Sequence, residues 1–430
     1  MERNIRLSAS AGRFVVDGRS AFLLADTVWS ALSDATDEEW RFYVERRSRQ
    51  GFNGALLSVL PILHDRSGKD SSVMPFDEDR VTTSGIWELN PYFFERMRQR
   101  LDTAAGAGIV CGLVLLWVNY VEGSWGSERT PGFEMPAEVQ EEYLAAVAEV
   151  VQDGECLLVV SGDAGFTSAR EIETYQRVAE SVRRTWPKSV VTFHSAPTAI
   201  LPHELEQMAN ALVFQSGHHG ESPTLARELA GRYSAIAGDR PVMNAEPSYE
   251  AHRVGGGVGR FGRATVRRRT WESVVGGASA GVSYGAHGLW GWHRGGSVFT
   301  SVHFSGTPLD WREALFLPGA NDAADCRRIM EAEGLCRFES PADALRVIDE
   351  GWGADEVVIG LDSSARTAAV YLPNGGPVTL RAPGPISIRR VIDLGSGTDV
   401  RAICAAAGSD AWVVDPPATV SEAVLFLGIG

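Results

Sequence analysis

The sequence predicts a (β/α)8 TIM barrel followed by a small antiparallel β-sandwich. Three observations support this fold class: eight apolar runs in the first 290 residues, helix signals between them, and a change of pattern after Trp290. The runs occupy residues 21–29, 54–60, 109–117, 156–163, 189–195, 211–218, 241–246 and 281–290. Nearly continuous apolar runs are typical of parallel strands that are buried on both faces. Eight strand–helix units of this length fit a barrel, which typically needs about 250 residues.

The segments between the runs carry the local signals of helix starts and ends. After the first run, Thr36 is a predicted N-cap with Glu39 three residues later, and Gly51 ends the helix. Pro91 stands in the first turn of another predicted helix. The same signals predict helices in residues 135–151, 167–185, 222–238 and 262–277. A doubly wound open sheet is the alternative, but it requires a glycine-rich phosphate turn after the first strand, and LLADTVWS has none.

The pattern after Trp290 indicates a second domain. A helical segment at 310–334 is followed by short alternating runs between Gly, Pro, Asn and Ser turns. Such runs predict an antiparallel β-sandwich. We expect the barrel domain at residues 1–335 and the sandwich at 343–430. No low-complexity linker separates the two parts, so we expect them to pack closely.

Composition and charge narrow the class of ligand. The net charge is −15 and the sequence pI is near 5.1, so the surface repels nucleic acid and anionic membranes. A neutral small molecule or a glycan is easier to accommodate. Five scattered cysteines form no CxxC or Cys/His spacing, and no metal or other cofactor is expected. The first residues lack the apolar core of a signal peptide, and no window resembles a membrane span, so a cytoplasmic location is expected unless a leader precedes this sequence.

Polar and aromatic side chains follow the apolar runs, at the end where a barrel carries its active site. Asp163 ends the fourth run, Glu246 ends the seventh, and His64 follows the second. Carboxyls on strands four and seven of a barrel face each other across its mouth, and paired carboxyls hydrolyse glycosidic bonds. Side chains that stack on or hydrogen-bond to a sugar are expected around them. The candidates are Asp26, Trp29, Trp117, Tyr120, His194, Gln215, His218, Asn244, Tyr249, Glu250, Trp290 and Trp292.

The sequence also resembles the apiosidase-like glycoside hydrolases, which join a barrel to a collagenase-associated C-terminal domain. The resemblance covers nearly the whole chain and rests on VDGRSAFLLADTVWSAL, RRSRQGFN, NPYFFERMRQRLDTAAGAGI, VVSGDAG and PVMNAEPSYE. It implies that Asp163 is the general acid and Glu246 the second catalytic carboxylate. It also implies that Asp26 and Trp29 line the sugar pocket. Ser161 stands where the family usually has glycine, and the AGFTSA segment after Asp163 lacks the usual Arg-Asn.

The leading hypothesis is an exo-acting, retaining glycoside hydrolase that releases a terminal furanoside or a related neutral sugar. Asp163 is expected to have a raised pKa and to act as the acid, because few donors surround it in sequence. Glu246 is expected to stay ionised as the nucleophile, with Asn244 and Tyr249 as donors. The alternative is a carbohydrate-binding or scaffold protein that kept the barrel and lost catalysis.

Two pairs of neighbouring residues invite more specific interpretations. Trp290 and Trp292 are two residues apart, which puts them on one face of a strand, either as a stacking wall or as core. His218 and His219 could form a metal pair. Adjacent residues of a strand point to opposite faces, however, so metal binding is not expected from them.

Overall fold

A computed structural model describes residues 5–68, 72–218, 224–255, 257–341, 345–348, 356–362, 364 and 366–430. The predicted fold class is confirmed, since an eight-stranded parallel barrel precedes two antiparallel sheets. Among the described residues, no helix is both long and apolar enough to cross a membrane.

A small antiparallel sheet, which the sequence analysis did not predict, precedes the barrel. Its strands are β1 (Leu7–Ser10), β2 (Arg13–Val16) and β3 (Arg19–Ala21). Both connections are two-residue turns, 11–12 and 17–18, with positive φ at all four positions, which suits a tight hairpin. The N–H of Leu7 donates to the carbonyl of Gly154, just before the fourth barrel strand, over 2.8 Å. The sheet therefore covers the N-terminal end of the barrel, opposite the predicted site.

Eight parallel strands form the barrel wall. They are β4 (Leu23–Thr27), β5 (Gly54–Ser58), β6 (Val110–Trp117), β7 (Leu157–Gly162), β8 (Val190–Thr192), β9 (Leu212–Gln215), β10 (Val242–Glu246) and β11 (Gly281–Tyr284). Neighbouring strands pair from β4 to β8 and from β9 to β11, and β11 pairs with β4, whereas β8 and β9 stand at the two ends of the sheet. Every residue in them is buried, which is why the runs are apolar throughout instead of alternating. Asn210 joins β8 to β9, because its N–H donates to the carbonyl of Val191 over 3.0 Å.

Helices connect the barrel strands. They are α1 (Ala31–Asp34), α2 (Asp37–Gln50), α3 (Glu78–Ser84), α4 (Pro91–Gly106), α5 (Trp125–Arg129), α6 (Ala137–Val150), α7 (Ala169–Thr185), α8 (His203–Glu206), α9 (Leu225–Ile236), α10 (Arg263–Gly276), α11 (Val302–Ser305), α12 (Trp311–Leu315) and α13 (Gly319–Ala332), with a 3-10 turn at Val118–Tyr120. The longer helices agree with the sequence signals, whereas the short helices α1, α3, α5, α8 and α11 were not predicted and the helical segment at 310–334 is divided into two helices. Thr36 and Glu39 form the predicted capping box of α2, and Gly51 ends that helix with φ 99°. Pro91 begins α4.

The C-terminal part consists of two antiparallel sheets. Its strands are β12 (Arg346–Val347), β13 (Val358–Asp362), β14 (Thr367–Leu372), β15 (Val378–Arg381), β16 (Ile386–Asp393), β17 (Thr398–Asp399), β18 (Ile403–Ala406), β19 (Ala411–Asp415) and β20 (Ala423–Ile429). One sheet has the order β12-β15-β19-β18 and the other β13-β14-β20-β16-β17. The alternating runs predicted all of these strands except β12, β17 and β18. The exact boundaries at 335 and 343 stay predictions, and residues 342–344 lie outside the described residues.

The sandwich packs on α10, the helix that follows the seventh barrel strand. Arg267 of α10 forms ion pairs with Asp322 of α13, at 3.4 Å, and with Glu422 of the sandwich. Gly360 of β13 lies directly against the carbonyl of Val275, where a Cβ atom would collide with it. The absence of a side chain at residue 360 therefore allows a close contact between the two domains.

Candidate active site

A cavity of about 340 Å³ lies at the C-terminal ends of the barrel strands. Eight sequence-predicted residues line it: Trp29, Trp117, Asp163, Gln215, His218, Glu246, Tyr249 and Trp290. Its other lining residues are Ile62, His64, Asp65, Trp125, Arg129, Ala196, Pro197, His252, Ser301, His303 and Phe304. The cavity is therefore built from the loops after most of the barrel strands.

Asp163 and Glu246 meet in this cavity. Asp163 directly follows β7, and Glu246 is the last residue of β10. A carboxylate oxygen of each residue and a ring nitrogen of His194 all lie within 4.8 Å of one another. The two predicted carboxyls are thus close enough to act on the same bond.

The backbone of Asp163 adopts an unusual conformation that aims its side chain. Its φ is 55°, in the left-handed region where Asp is one of the better-tolerated residues. Its N–H donates to Nδ1 of His194 over 3.3 Å, and its carbonyl accepts from the indole N–H of Trp125 over 2.8 Å. The amide of Gln215 donates to its carboxyl. His194 and Trp125 therefore hold the backbone of Asp163, and Gln215 holds its carboxyl.

Two histidines direct ring N–H groups at Glu246. Nδ1 of His218 accepts from the N–H of Tyr249 over 3.2 Å, so in the neutral ring Nε2 carries the hydrogen and donates to Oε1 of Glu246 over 2.9 Å. His194 is held in the same way by the N–H of Asp163, and its Nε2 lies 3.5 Å from Oε2 of Glu246. Burial lowers the pKa of His194 to about 3, so this ring is neutral. Oε1 of Glu246 thus accepts a hydrogen bond from His218, whereas Nε2 of His194 lies near Oε2 without forming one.

Burial raises the pKa of both carboxyls. Burial raises the pKa of Glu246 to about 8, against the effect of a hydrogen bond from Tyr249. Burial and then the charge of Glu246 raise the pKa of Asp163 well above its usual range, while the hydrogen bond from Gln215 opposes them. The direction at Asp163 agrees with the expectation from sequence, whereas the raised pKa of Glu246 opposes the expectation that this carboxyl stays ionised, because burial outweighs the hydrogen bonds to it. Because the two groups interact, they titrate as a pair that readily keeps one proton.

Asp26 does not reach the cavity. Its side chain leaves β4 towards α2, where Oδ2 lies 2.6 Å from Nε of Arg47, and neither side chain is exposed to solvent. Arg47 also donates to the carbonyl of Leu315. The ion pair thus ties the first barrel strand to the surrounding helices. Trp29, which the resemblance paired with Asp26, lies beyond the strand end and does line the cavity.

Tyr120 and Asn244 also lie behind the cavity wall. The hydroxyl of Tyr120 donates to the carbonyl of Pro61 over 2.8 Å. The amide of Asn244 donates to the hydroxyls of two serines, and its Oδ1 accepts from the N–H of Glu246 over 3.2 Å. Asn244 therefore contacts the backbone of Glu246 and does not donate to its carboxylate. His218 donates to the Glu246 carboxylate.

Glu250 and Trp292 point away from the cavity as well. Glu250 accepts from the hydroxyl of Tyr284 over 2.7 Å and from the N–H of Gly319 over 2.9 Å. Trp292 stacks on Trp311, with ring centroids 4.6 Å apart. The spacing argument for Trp290 and Trp292 holds only in a strand, whereas β11 ends at Tyr284 and Trp292 has a φ of 46° in a turn.

Several cavity residues were not among the sequence candidates. His64 follows the second apolar run and was visible as a polar residue near a strand end. Asp65, Trp125 and Arg129 lie in long connections after β5 and β6, and residues 301–304 lie in the connection after β11. Such connections have no periodicity from which a side-chain direction can be predicted.

Asp163, His194 and Glu246 are also a possible set of metal ligands, since one atom from each lies within 4.8 Å of the others. A divalent cation would require both carboxyls to be ionised, and burial of the pair works against this. Of the predicted adjacent histidines, His218 contacts Glu246, and His219 lies outside the described residues.

The overall architecture resembles that of solved glycoside hydrolase structures. A solved structure described as a glycoside hydrolase superposes with a TM-score of 0.75 at 19% identity, covering 99% of this chain and 97% of the other. A family 5 glycoside hydrolase from Bacteroides vulgatus ATCC 8482 superposes with a TM-score of 0.77 at 18% identity, covering 99% of this chain and 94% of the other. At these identities the likeness shows the shared fold.

The family follows from the sequence itself. Residues 9–336 match the family model described as "Apiosidase-like, catalytic domain", which is most of the 430-residue chain. The chain belongs to the apiosidase-like family, and it is thereby related to the glycosidases. No curated protein sequence matches it.

Proposed function

We propose that the protein is a retaining O-glycoside hydrolase that removes a terminal furanoside or a related neutral sugar. The observation that carries this proposal is the approach of carboxylate oxygens of Asp163 and Glu246 to within 4.8 Å across the cavity. Retaining glycosidases hold their two carboxyls about 5–5.5 Å apart, whereas inverting ones need about 6.5–9.5 Å to admit a water molecule. The short separation supports the retaining mechanism.

The two carboxyls have different roles in the proposed reaction. Asp163 donates its proton to the glycosidic oxygen while Glu246 attacks the anomeric carbon, so that the leaving group departs and a covalent glycosyl ester forms. Asp163, now ionised, then takes a proton from water as the water attacks the same carbon. This step releases the sugar with its original configuration and restores both carboxyls.

The surroundings of each carboxyl support this division. Burial and the charge of Glu246 raise the pKa of Asp163, which favours its protonated form. Glu246 receives a hydrogen bond from Nε2 of His218 and faces Nε2 of His194. Donors of this kind stabilise the anion and orient it, even though burial raises its pKa.

The shape and lining of the cavity support a small, neutral, terminal sugar. Its volume of about 340 Å³ is near the lower end of ligand pockets, which range from about 300 to 1,000 Å³. The indole rings of Trp29, Trp117 and Trp290 line it and offer apolar faces to the C–H groups of a sugar. The net charge of −15 disfavours an anionic ligand.

Catalytic variants on aryl glycosides test the proposal. After a screen has found an active substrate, Glu246→Gln should abolish turnover. Asp163→Ala should retain activity on substrates with activated leaving groups, and added azide should give a glycosyl azide of retained configuration. Asp239→Asn is the matched control, since its side chain is 92% exposed and lies before β10 at the other end of the barrel. A first product of inverted configuration would make Glu246 a general base and reject the retaining mechanism.

The same experiment separates the alternatives. A carbohydrate-binding protein without catalysis would bind sugars, and wild type and Glu246→Gln would both be inactive on every aryl glycoside. A metal-dependent hydrolase would lose activity with a chelator and regain it with a divalent cation, whereas the proposed mechanism predicts no change.

A further inference from the structure

Asp65 is a carboxyl in the cavity wall that the proposed reaction does not use. It lies in the connection after β5 and lines the cavity together with Asp163 and Glu246. Its Oδ1 is enclosed and has no hydrogen-bond partner among the described residues. An enclosed polar group without a partner typically costs about 1–3 kcal/mol, and more when it is charged. The carboxyl therefore has less hydrogen bonding than its burial requires, and because Oδ1 is enclosed, a ligand in the cavity would meet the rest of this carboxyl.

The electrostatic surroundings of Asp65 offset its burial only in part. Burial raises the pKa of Asp65 to about 7, against the effect of the Ser301 hydroxyl, and the charges of Asp163 and Glu246 raise it further. Arg129 acts in the opposite direction as the weakest of these influences, and it forms no ion pair with Asp65 in the described part of the chain. A neutral ligand that donates a hydrogen bond to the Asp65 carboxyl would offset part of the cost of burying it.

The neighbouring His64 presents a second acceptor. Oδ1 of Asn119 accepts from the N–H of Leu63 over 3.3 Å and lies 3.0 Å from Nδ1 of His64. Nδ1 of His64 therefore donates, which leaves Nε2 of the neutral ring as an acceptor. Burial lowers the pKa of His64 to about 4, so the ring is neutral near pH 7. Nε2 forms no hydrogen bond within the ranges that the structure describes.

We propose that His64 and Asp65 form a specificity-determining pair that accepts hydrogen bonds from hydroxyl groups of the sugar in the cavity. The ligand class is a neutral polyhydroxylated sugar, because two acceptors require two O–H donors and an anion would be repelled. The hydroxyls belong either to the terminal sugar or to a sugar in the leaving group. This inference rests on the proposed function, since it assigns the substrate contacts of that same cavity.

Kinetics on two kinds of substrate test the pair. Asp65→Ala should lower kcat/KM about 10–100-fold on substrates that carry the recognised hydroxyls, which corresponds to losing a hydrogen bond to a charged group. A loss on aryl glycosides and disaccharides alike places the contact on the terminal sugar, and a loss on disaccharides alone places it on the leaving group. A deoxy analogue that lacks the recognised hydroxyl should be hydrolysed equally by wild type and Asp65→Ala. Unchanged kinetics on both substrates would overturn the proposal.

Binding measurements keep this test independent of the proposed chemistry. Free monosaccharides are titrated by calorimetry into Glu246→Gln and into Glu246→Gln/Asp65→Ala. A weakening of about 10–100-fold in the double variant supports the recognition role even if wild type hydrolyses nothing, and that case would reject only the glycosidase. Asp65→Asn replaces Asp65→Ala if the alanine variant fails to fold, and Asp239→Asn serves as the control with no expected effect. Equal affinities of the two proteins for the terminal sugar and for the leaving-group sugar alike would overturn the role of Asp65.

Discussion

The backbone N–H of Tyr249 donates to Nδ1 of His218, and this bond determines which ring nitrogen of His218 faces Glu246. A side chain that donates to an ionised carboxylate lowers the pKa of that carboxylate. We therefore expect His218 to position Glu246, the proposed nucleophile, and to favour its charged form against the effect of burial.

His218→Phe should lower kcat about 10–100-fold, because the lost hydrogen bond acts on Glu246, and KM should change less than kcat even though His218 also lines the cavity. Without this donor the pKa of Glu246 rises, so the acidic limb of the pH profile should move to higher pH. His203→Ala is the control, since its side chain is 80% exposed. A pH profile that stays in place would show that His218 has only a structural role.

Glu246→Gln should stabilise the protein at alkaline pH. Burial raises the pKa of Glu246 from 4.5 to about 8, so the folded state binds its proton more tightly than the unfolded state does. The associated stability is present below pH 4.5 and is lost as the pH rises through about 8. The variant does not ionise, and its Tm should exceed that of wild type by ~2–6 °C at pH 9. The two Tm values should converge near pH 4, and a constant difference across this range would contradict the linkage.

Trp290 and Trp292 should respond differently to substitution. Trp290 lines the cavity, whereas Trp292 donates to Glu39 and stacks on Trp311. Alanine at Trp290 should lower kcat/KM, which corresponds to a rise of roughly 1–3 kcal/mol in the activation free energy. Alanine at Trp292 should cost roughly 3–5 kcal/mol of unfolding free energy and leave KM unchanged. Phenylalanine variants at both positions keep the comparison possible if an alanine variant does not fold.

Asp26→Ala should destabilise the protein by roughly 3–5 kcal/mol, because it leaves the buried guanidinium of Arg47 without its partner. The double variant Asp26→Leu/Arg47→Met should recover much of this loss. Denaturant unfolding measures the stability, and KM on the active substrate measures any direct effect. A raised KM in the stable double variant would support the sugar contact that the family resemblance implies.

Most of the fold could be predicted because buried strands appear in the sequence as unbroken apolar runs. A strand covered on both faces must be apolar at nearly every position, so each barrel run stood out. The same physics identified Asp163 and Glu246, since a carboxyl at the end of such a run is costly unless it has a use. The N-terminal hairpins were missed, because β1 to β3 are each only three or four residues long.

The site was predicted less completely because direction matters as much as position. Asp26 and Glu246 both occur in apolar barrel runs, but one pairs with Arg47 on the helical side and the other faces the cavity. Successive residues of a strand point to opposite faces, so a shift of one residue decides whether a side chain faces the helices or the barrel interior. Asp65 reaches the cavity along an irregular connection, and only three-dimensional coordinates reveal that path.

The close contact between Gly360 and α10 has a consequence for how the molecule comes apart. The chain that carries Glu246 continues into α10, and the sandwich holds that helix through Arg267 and the carbonyl of Val275. Loosening the second domain would therefore free the segment that follows Glu246, the proposed nucleophile. We expect the two domains to unfold in one cooperative transition. The C-terminal domain would then stabilise the end of the barrel that carries the cavity, and its deletion should abolish activity.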